Sequence, residues 1–374
     1  MRAPELWAST VLLRACGRAC RIVPVRRDRV VLLSVRADHL TGNLEHLDRA
    51  LARLRPQHRR IVLTWTYRYT LAGRLQYLAR AIRGTYHLTT AATVFIDNAY
   101  LPVDVVPRRR GVTVVQVWHA AGALKKFGRD AVDDGRRAED AVLHRGYDLV
   151  VASSETTADH YATAFGTPRH RVLPLGSPRS EVLVDPEWLA AARASVLARH
   201  PGLRDRRVLL YAPTFRGRGV AKEPGPRLDG TALRAALPPD WCLVLKPHPV
   251  VAEDPLSTAG FDLVIDADES LDELMAAADV LVSDYSSVVF EWAVLDRPLI
   301  SFVPDLDAYE HSPGLYLDLR TEMIGVLASD TDELIRAVQS LPDTAPDHSD
   351  FVRRHLGDDL GSASARVVEH VVPR

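Results

Sequence analysis

Short apolar runs alternate along this chain with stretches in which apolar residues recur every third or fourth position. RVVLLSV (29–35), RIVLTW (60–65), TVFID (93–97), VTVVQVWH (112–119) and YDLVVASS (147–154) read as strands. NLEHLDRALARL (43–54) and SETTADHYATAF (154–165) carry helical spacing, with Ser153 or Ser154 placed to cap the second. After RVLPLGSPR (171–179) the style repeats in RVLLYAPTF (207–215), WCLVLKPHP (241–249), FDLVI (261–265), DVLVSDYSS (279–287) and PLISFVP (298–304). ASARVVEHVV (363–372) is helical again. These strands are apolar throughout, as strands are when helices cover both faces of a parallel sheet. The pattern predicts an α/β protein with doubly wound sheets.

A break falls near 180–200. GSPRSEVLVDPEW (176–188) leads there into a helix, and HPGLRDRR (200–207) makes a polar turn before the next strand. Two domains are expected, 1–183 and 184–374, the second including the C-terminal helices. A length of 374 residues agrees with that division. RGRGVAKEPGPRLDG (216–230) reads as a mobile loop. Near the N-terminus Arg14, Arg18 and Arg21 recur at helical spacing, and Leu12, Cys16, Ala19 and Val23 do so on another face. Such a helix suits an anionic membrane surface. A helix packed on its own domain, with solvated arginines and weakened by Gly17, fits the pattern too. The arginines also interrupt the apolar stretch, so no signal peptide is expected. No run of about 18 apolar residues offers a bilayer span.

Composition narrows the partners. The chain is 47% apolar and 25% charged with a formal net charge of −1, so it has no global field for nucleic acid. Cys16, Cys20 and Cys242 form neither a disulfide framework nor a zinc site, and a reducing cytosol is expected. Lysine occurs only at 125, 126, 222 and 246. The adjacent pair Lys125 and Lys126 follows closely on His119, which suggests a site; a solvated surface pair is the alternative.

In open α/β sheets ligands sit beyond the carboxyl ends of the strands, so polar residues there carry the weight. VWH ends in His119, APTFR offers Thr214 and Arg216, and KPHP sets Lys246 and His248 in a loop stiffened by two prolines. Asp284, Ser286 and Ser287 precede the helical run SVVFEWAVL. They can cap it, or its first turn can hold a phosphate. Glu291 lies within that helix, facing a polyol or ribose, or solvent. No GxGxxG follows a strand, and GxxxxGK[ST], GxSxG, HExxH and CxxC are all missing, which argues against dehydrogenase, P-loop, hydrolase-elbow and zinc chemistry.

VWHAAGALKKFG (117–128), YAPTFRG (211–217), LKPHP (245–249) and SDYSSVVFEWAVLDRPLISFVPDLDAYEHSPGLYLDL (283–319) stand in this order. Together with the opening PVRRDRVVLLSVRADHLTGN (24–43), they resemble the CDP-glycerol glycerophosphotransferase family, which includes teichoic acid primases and polymerases. The resemblance covers residues 24 to 330. It implies a GT-B-like fold, two Rossmann-type domains facing a cleft, with the CDP-linked donor on the C-terminal domain and the acceptor on the N-terminal one. It also implies work on lipid-linked saccharide or polyol-phosphate acceptors at the cytoplasmic face of the membrane, as a peripheral protein.

The family's two functional histidines match His119 and His248. The implied reaction is attack of an acceptor hydroxyl on the β-phosphorus of CDP-glycerol, releasing CMP. His119 is the expected base. Lys246, His248, Arg216, Ser286 and Ser287 are expected to hold the diphosphate, with Thr214, Asp284 and Glu291 beside them. Lys125, Lys126 and Arg179 are acceptor-side candidates. No cofactor is demanded, and no carboxylate cluster calls for a metal, although a diphosphate donor can carry Mg²⁺. Many members have WHGTPLK where this chain has WHAAGALKK, changing Ala120 and Ala123 beside the base. The family's GxPRND is GSPRSE here, keeping Arg179 and replacing the next pair by Ser180 and Glu181. The short chain favours one or a few transfers over processive polymerisation. CDP-ribitol is the alternative donor. A nucleotide-sugar glycosyltransferase and a non-catalytic binding protein of the same fold are the competing classes.

Overall fold

The computed structural model describes residues 3–66, 71–131, 142–216, 223–225, 227–247, 258–266 and 269–374. His248, Lys222 and part of the loop 216–230 lie outside the described residues. The chain forms two compact units, Met1–Glu181 with Arg354–Arg374, and Val182–Arg353.

The first unit holds β1 (Arg26–Ser34), β2 (Arg59–Thr64), β3 (Ala91–Ile96), β4 (Thr113–Gln116), β5 (Leu149–Ala152) and β6 (Val172–Pro174). They form one parallel sheet in the order β2-β1-β3-β4-β5-β6. Val30, Val31, Leu32 and Leu33 have no exposed surface, which explains why β1 reads as apolar without alternation. Val30 and Leu32 share a core with Leu44, Leu47 and Leu51 of the helix Gly42–Leu54 and with Val367 and Val368 of the helix Ala363–Val371. Leu33 pairs with Ile96, and this register sets Ser34 beside Asp97 at the carboxyl end of the sheet.

The second unit holds β7 (Arg207–Ala212), a small antiparallel pair of β8 (Phe215–Arg216) and β9 (Glu223–Pro224), then β10 (Trp241–Leu245), β11 (Leu263–Val264), β12 (Val280–Ser283), β13 (Leu299–Phe302) and β14 (Val326–Ala328). The large sheet is parallel, in the order β11-β10-β7-β12-β13-β14. Its core includes Leu209, Tyr211, Leu243, Leu245, Val282, Ile300 and Phe302 on one side, under Leu233, Leu334 and Val338. In each sheet the winding reverses once, between β1 and β3 and between β7 and β12. Ligand crevices form at such reversals.

Two expectations are corrected. The C-terminal helices, assigned by sequence order to the second domain, end on the first unit. Val367, Val368 and Val372 complete the core over β1 and β3. Glu181 accepts from the Ser364 N–H (3.0 Å) and hydroxyl (2.8 Å), and Arg55 Nε donates to the Val372 (3.3 Å) and Pro373 (3.2 Å) carbonyls. The N-terminal helix Ala3–Ala19 packs through Leu6, Leu13 and Gly17, not through Leu12, Cys16, Ala19 and Val23. A Cβ at Gly17 would lie 2.5 Å from Val106 Cγ1, so this glycine sits where the helix docks. Arg14 Nε donates to the Val105 carbonyl (3.0 Å), and Arg21 donates to those of Pro107 (3.2 Å) and Arg108 (2.6 Å). Two of the three arginines therefore fasten the helix down, while Arg18 is exposed. No helix among the described residues is long and apolar enough to cross a membrane.

Val368 is fully buried among residues of the first unit. Val368→Ala is expected to cost about 2 kcal/mol. Hydrogen exchange should quicken in β1 and β3 while β7 and β12 keep their protection; the reverse pattern would contradict the assignment of the last helix.

Candidate functional site

His119 follows β4 on a turn fixed from three sides. Trp118 has a left-handed backbone (φ 49°), rare for a bulky residue. Its N–H donates to Gln116 Oε1 (2.9 Å), and its carbonyl, with that of Val117, accepts from Asn43 Nδ2 (3.1 and 2.9 Å). Its ring stacks on Phe127 at 4.8 Å and meets Phe165 edge-on at 5.2 Å. The turn continues through buried Ala121, Ala123 and Leu124, and the Ala120 carbonyl accepts from Tyr161 Oη (3.1 Å). The Trp-His pair is thus an anchor followed by the group it aims.

His119 Nδ1 lies 3.1 Å from the Asp97 carbonyl oxygen. A carbonyl only accepts, so Nδ1 carries the proton and Nε2 keeps its lone pair. Burial, then the guanidiniums of Arg36 and Arg179, hold the imidazole pKa well below its usual value, against the opposing effect of that hydrogen bond. His119 is therefore neutral, with its lone pair at Nε2. The Asp97 side chain is buried; Oδ2 accepts from Ser34 Oγ (2.9 Å), and Oδ1 has no hydrogen-bond partner among the described residues. Burial pushes its carboxyl up to about 6 despite Arg36 and the Ser34 hydroxyl. Arg179 NH1 donates to the His119 carbonyl (3.1 Å), and its main-chain N–H donates to Asn43 Oδ1 (3.0 Å). Lys125 and Lys126 come next on the packed loop, both half-buried.

In the second unit Asp284 ties β7 to β12. Its Oδ1 accepts from the Thr214 N–H (2.9 Å), and its Oδ2 accepts from the Thr214 hydroxyl (2.9 Å) and Arg216 NH1 (2.8 Å). Arg216 also grips Asp305 through Nε (2.8 Å) and NH2 (3.2 Å), with its guanidinium 4.9 and 5.0 Å from the ring centroids of Tyr285 and Tyr309. Those rings stack at 3.6 Å, and Tyr285 Oη donates to Asp305 Oδ1 (3.0 Å). Burial alone would lower the Arg216 pKa, but the two carboxylates raise it above its usual value. Lys246 is buried, with Nζ donating to the Asp266 carbonyl (2.7 Å). Ser286 Oγ accepts from the Val288 N–H (3.3 Å), while Ser287 makes no side-chain cap. Both serines keep partial exposure, whereas Glu291 is buried.

The structure thus gathers Thr214, Arg216 and Asp284 at one sheet reversal, with Ser286 and Ser287 just beyond β12. Arg216 and Asp284 are there a mutually neutralising strut, and Glu291 does not face solvent. On the first sheet it gathers His119 and Arg179, and adds residues that the sequence did not single out: Asp97, Arg36, Ser34 and Asn43. An aspartate ending TVFID was visible as a polar strand end, but a backbone carbonyl that orients a histidine leaves no mark in sequence.

Comparison with known proteins agrees with this fold. A family model for CDP-glycerol:poly(glycerophosphate) glycerophosphotransferase matches residues 16–373. The chain is similar to the teichoic acid ribitol-phosphate primase of Bacillus spizizenii, 32% identical over 360 residues, covering 94% of this chain and 92% of that one. It is similar to the teichoic acid glycerol-phosphate primase of Bacillus subtilis, 27% identical over 265 residues, covering 69% and 68%. A solved structure of the wall teichoic acid polymerase TagF superposes with a TM-score of 0.76 at 17% identity, covering 99% of this chain and 98% of that one. The fold is GT-B-like, as in TagF, and the chain is an enzyme of polyol-phosphate transfer. With its motifs, its two sheets and a match along almost its whole length, the chain belongs to the CDP-glycerol:poly(glycerophosphate) glycerophosphotransferase family.

Proposed function

We propose that this protein transfers ribitol phosphate from CDP-ribitol to a hydroxyl of a lipid-linked acceptor, as a primase making one or a few transfers. Ribitol is favoured over the glycerol expected from the motifs because the ribitol-phosphate primase aligns over nearly the whole of both chains. The observation that carries the chemistry is the bond from His119 Nδ1 to the Asp97 carbonyl, which leaves Nε2 of a neutral imidazole as the base. Nε2 takes the proton of the acceptor hydroxyl as its oxygen attacks the β-phosphorus. The bond from that phosphorus to the bridging oxygen breaks, CMP leaves with the electron pair, and a phosphodiester forms. Lys246 and His248 supply positive charge to the diphosphate, with the Ser286 and Ser287 hydroxyls as donors. Arg216, held between two carboxylates, shapes that corner and brings it no free positive charge.

We further propose a peripheral position at the membrane. The N-terminal helix exposes Trp7 (71%), Val11 (48%) and Leu12 (42%), and Ile22 (89%) follows just beyond it. Arg18 is exposed beside them. An apolar face carrying a tryptophan and edged by arginine suits the boundary between headgroups and acyl chains.

His119→Asn should lower kcat by about a thousandfold with the fold intact by circular dichroism. Retained turnover would remove His119 as the base. Because the imidazole pKa lies well below its ordinary value, protonation stops the wild-type enzyme only in clear acid. The rate should stay flat as pH falls from 8 to 6.5; a midpoint near 6.5 would contradict a desolvated neutral base. Chromatography of reactions with CDP-ribitol, CDP-glycerol and UDP-N-acetylglucosamine should find CMP, formed fastest from CDP-ribitol. Release of UDP would support a glycosyltransferase instead.

A further inference from the structure

The amino edge of the first sheet carries a cluster of arginines. Val30 and Leu32 turn toward the helix Gly42–Leu54, so by the alternation of a strand Arg29 turns to the opposite face. Parallel pairing makes Arg59 of β2 its register partner, so the two side chains rise from neighbouring strands on one face. The helix Leu71–Thr90 covers that face. Arg29 NH1 donates to Thr90 Oγ1 (3.1 Å), and its guanidinium lies 5.8 Å from the Tyr86 ring centroid. The His87 ring lies 5.1 Å from that of Tyr86, and Arg83 stands one turn before His87 on the same stripe of the helix. Three arginines from three elements converge on one imidazole.

The other face shows the contrast. Arg60, next to Arg59 in sequence, points there and meets Asp48 Oδ1 at 2.8 Å. The Arg59 and Arg83 side chains make no hydrogen bond or ion pair among the described residues, and the one hydrogen bond of the Arg29 side chain goes to Thr90. Asp28, beside Arg29 in sequence, is exposed and pairs with none of the three. Arg29 Nε and His87 Nδ1 are buried without a hydrogen-bond partner. Burial and the guanidiniums of Arg29, Arg83 and Arg59 lower the His87 pKa to about 4, so the imidazole is neutral and the charge is that of the arginines. Like charges side by side on neighbouring strands repel each other. An anion completes such a cluster.

We infer that Arg29, Arg59 and Arg83 form a phosphate-binding site, with His87 at its back, apart from the transfer chemistry at the other edge of the sheet. β1 runs from this cluster to Ser34, a rise of roughly 17 Å. A planar guanidinium offers paired N–H donors. Three of them, arriving from different elements, suit the several oxygens of a phosphate group better than the two of a carboxylate. Arg109 ties this neighbourhood to the end of the N-terminal helix. It donates to the Thr89 carbonyl through NH1 (2.8 Å) and to the Arg21 carbonyl through NH2 (3.2 Å), beside exposed Ile22. A phospholipid headgroup and a free phosphate present the same group to the cluster, and both are sources of the ligand.

The test titrates inorganic phosphate into the full chain at constant ionic strength and follows the histidine rings by NMR, with His87 assigned by its Gln variant. The His87 signals should shift with saturation. The phosphate Kd should weaken by about tenfold or more in Arg59→Gln and in Arg83→Gln. Arg60→Gln, on the other face, should bind as the wild type does. Vesicles of phosphatidylglycerol and of phosphatidylcholine then separate the two sources. With a headgroup as the source, sedimentation with phosphatidylglycerol vesicles also weakens by about tenfold in Arg59→Gln and Arg83→Gln, and phosphatidylcholine shows no such difference. With a free phosphate as the source, both variants sediment as the wild type does while losing the phosphate response. The site is overturned if His87 shows no saturable shift with phosphate, if phosphate binding survives both substitutions, or if Arg60→Gln loses as much as they do.

Discussion

The hydrogen bond from His119 to the Asp97 carbonyl is the constraint on which the first unit's chemistry depends. It selects one tautomer, and the rest of the unit is arranged to make that selection hold. Parallel pairing of β1 with β3 brings Ser34 to the Asp97 carboxylate. Asn43 collects the carbonyls of Val117 and Trp118 together with the Arg179 N–H. Trp118 accepts a left-handed backbone, a conformation that costs about 1–2 kcal/mol for an ordinary residue, and its stack on Phe127 helps to offset that cost. Strain of this kind persists only where surrounding contacts overdetermine it, which is the usual setting of a functional turn.

The two units share one geometric plan. Each is a parallel sheet whose winding reverses once, and each places polar side chains there. In the second unit Asp284 and Asp305 both grip Arg216 beside the stacked rings of Tyr285 and Tyr309, giving a rigid corner. In the first a buried carboxyl, Asp97, and a neutral imidazole, His119, stand within the influence of the Arg36 guanidinium. A neutralised strut suits a place that must keep its shape.

The sheets were legible because buried parallel strands write themselves as unbroken apolar runs, as β1, β7 and β12 do. The short β14 and the helix Leu71–Thr90 were not singled out: three residues are too few to show a period, and the helix is only weakly amphipathic. The final helix went to the wrong unit because periodicity says which face is buried, not which sheet buries it. The motif histidine, the Thr214–Arg216 pair and Asp284 were found at strand ends. The partners that define what they do, Asp97 through its backbone and Asp305 through a distant loop, were hidden because such contacts have no spacing rule. Glu181, a departure from the family's GxPRND pattern, is explained by its bonds to Ser364, a tertiary contact far along the chain.

The central claim is that His119 is a neutral imidazole protonated at Nδ1. Nitrogen-15 NMR of the histidine rings, with His119 assigned by its Asn variant, tests it directly. At neutral pH the account predicts a protonated Nδ1 and an unprotonated Nε2. An imidazolium, or a neutral ring protonated at Nε2, would contradict it.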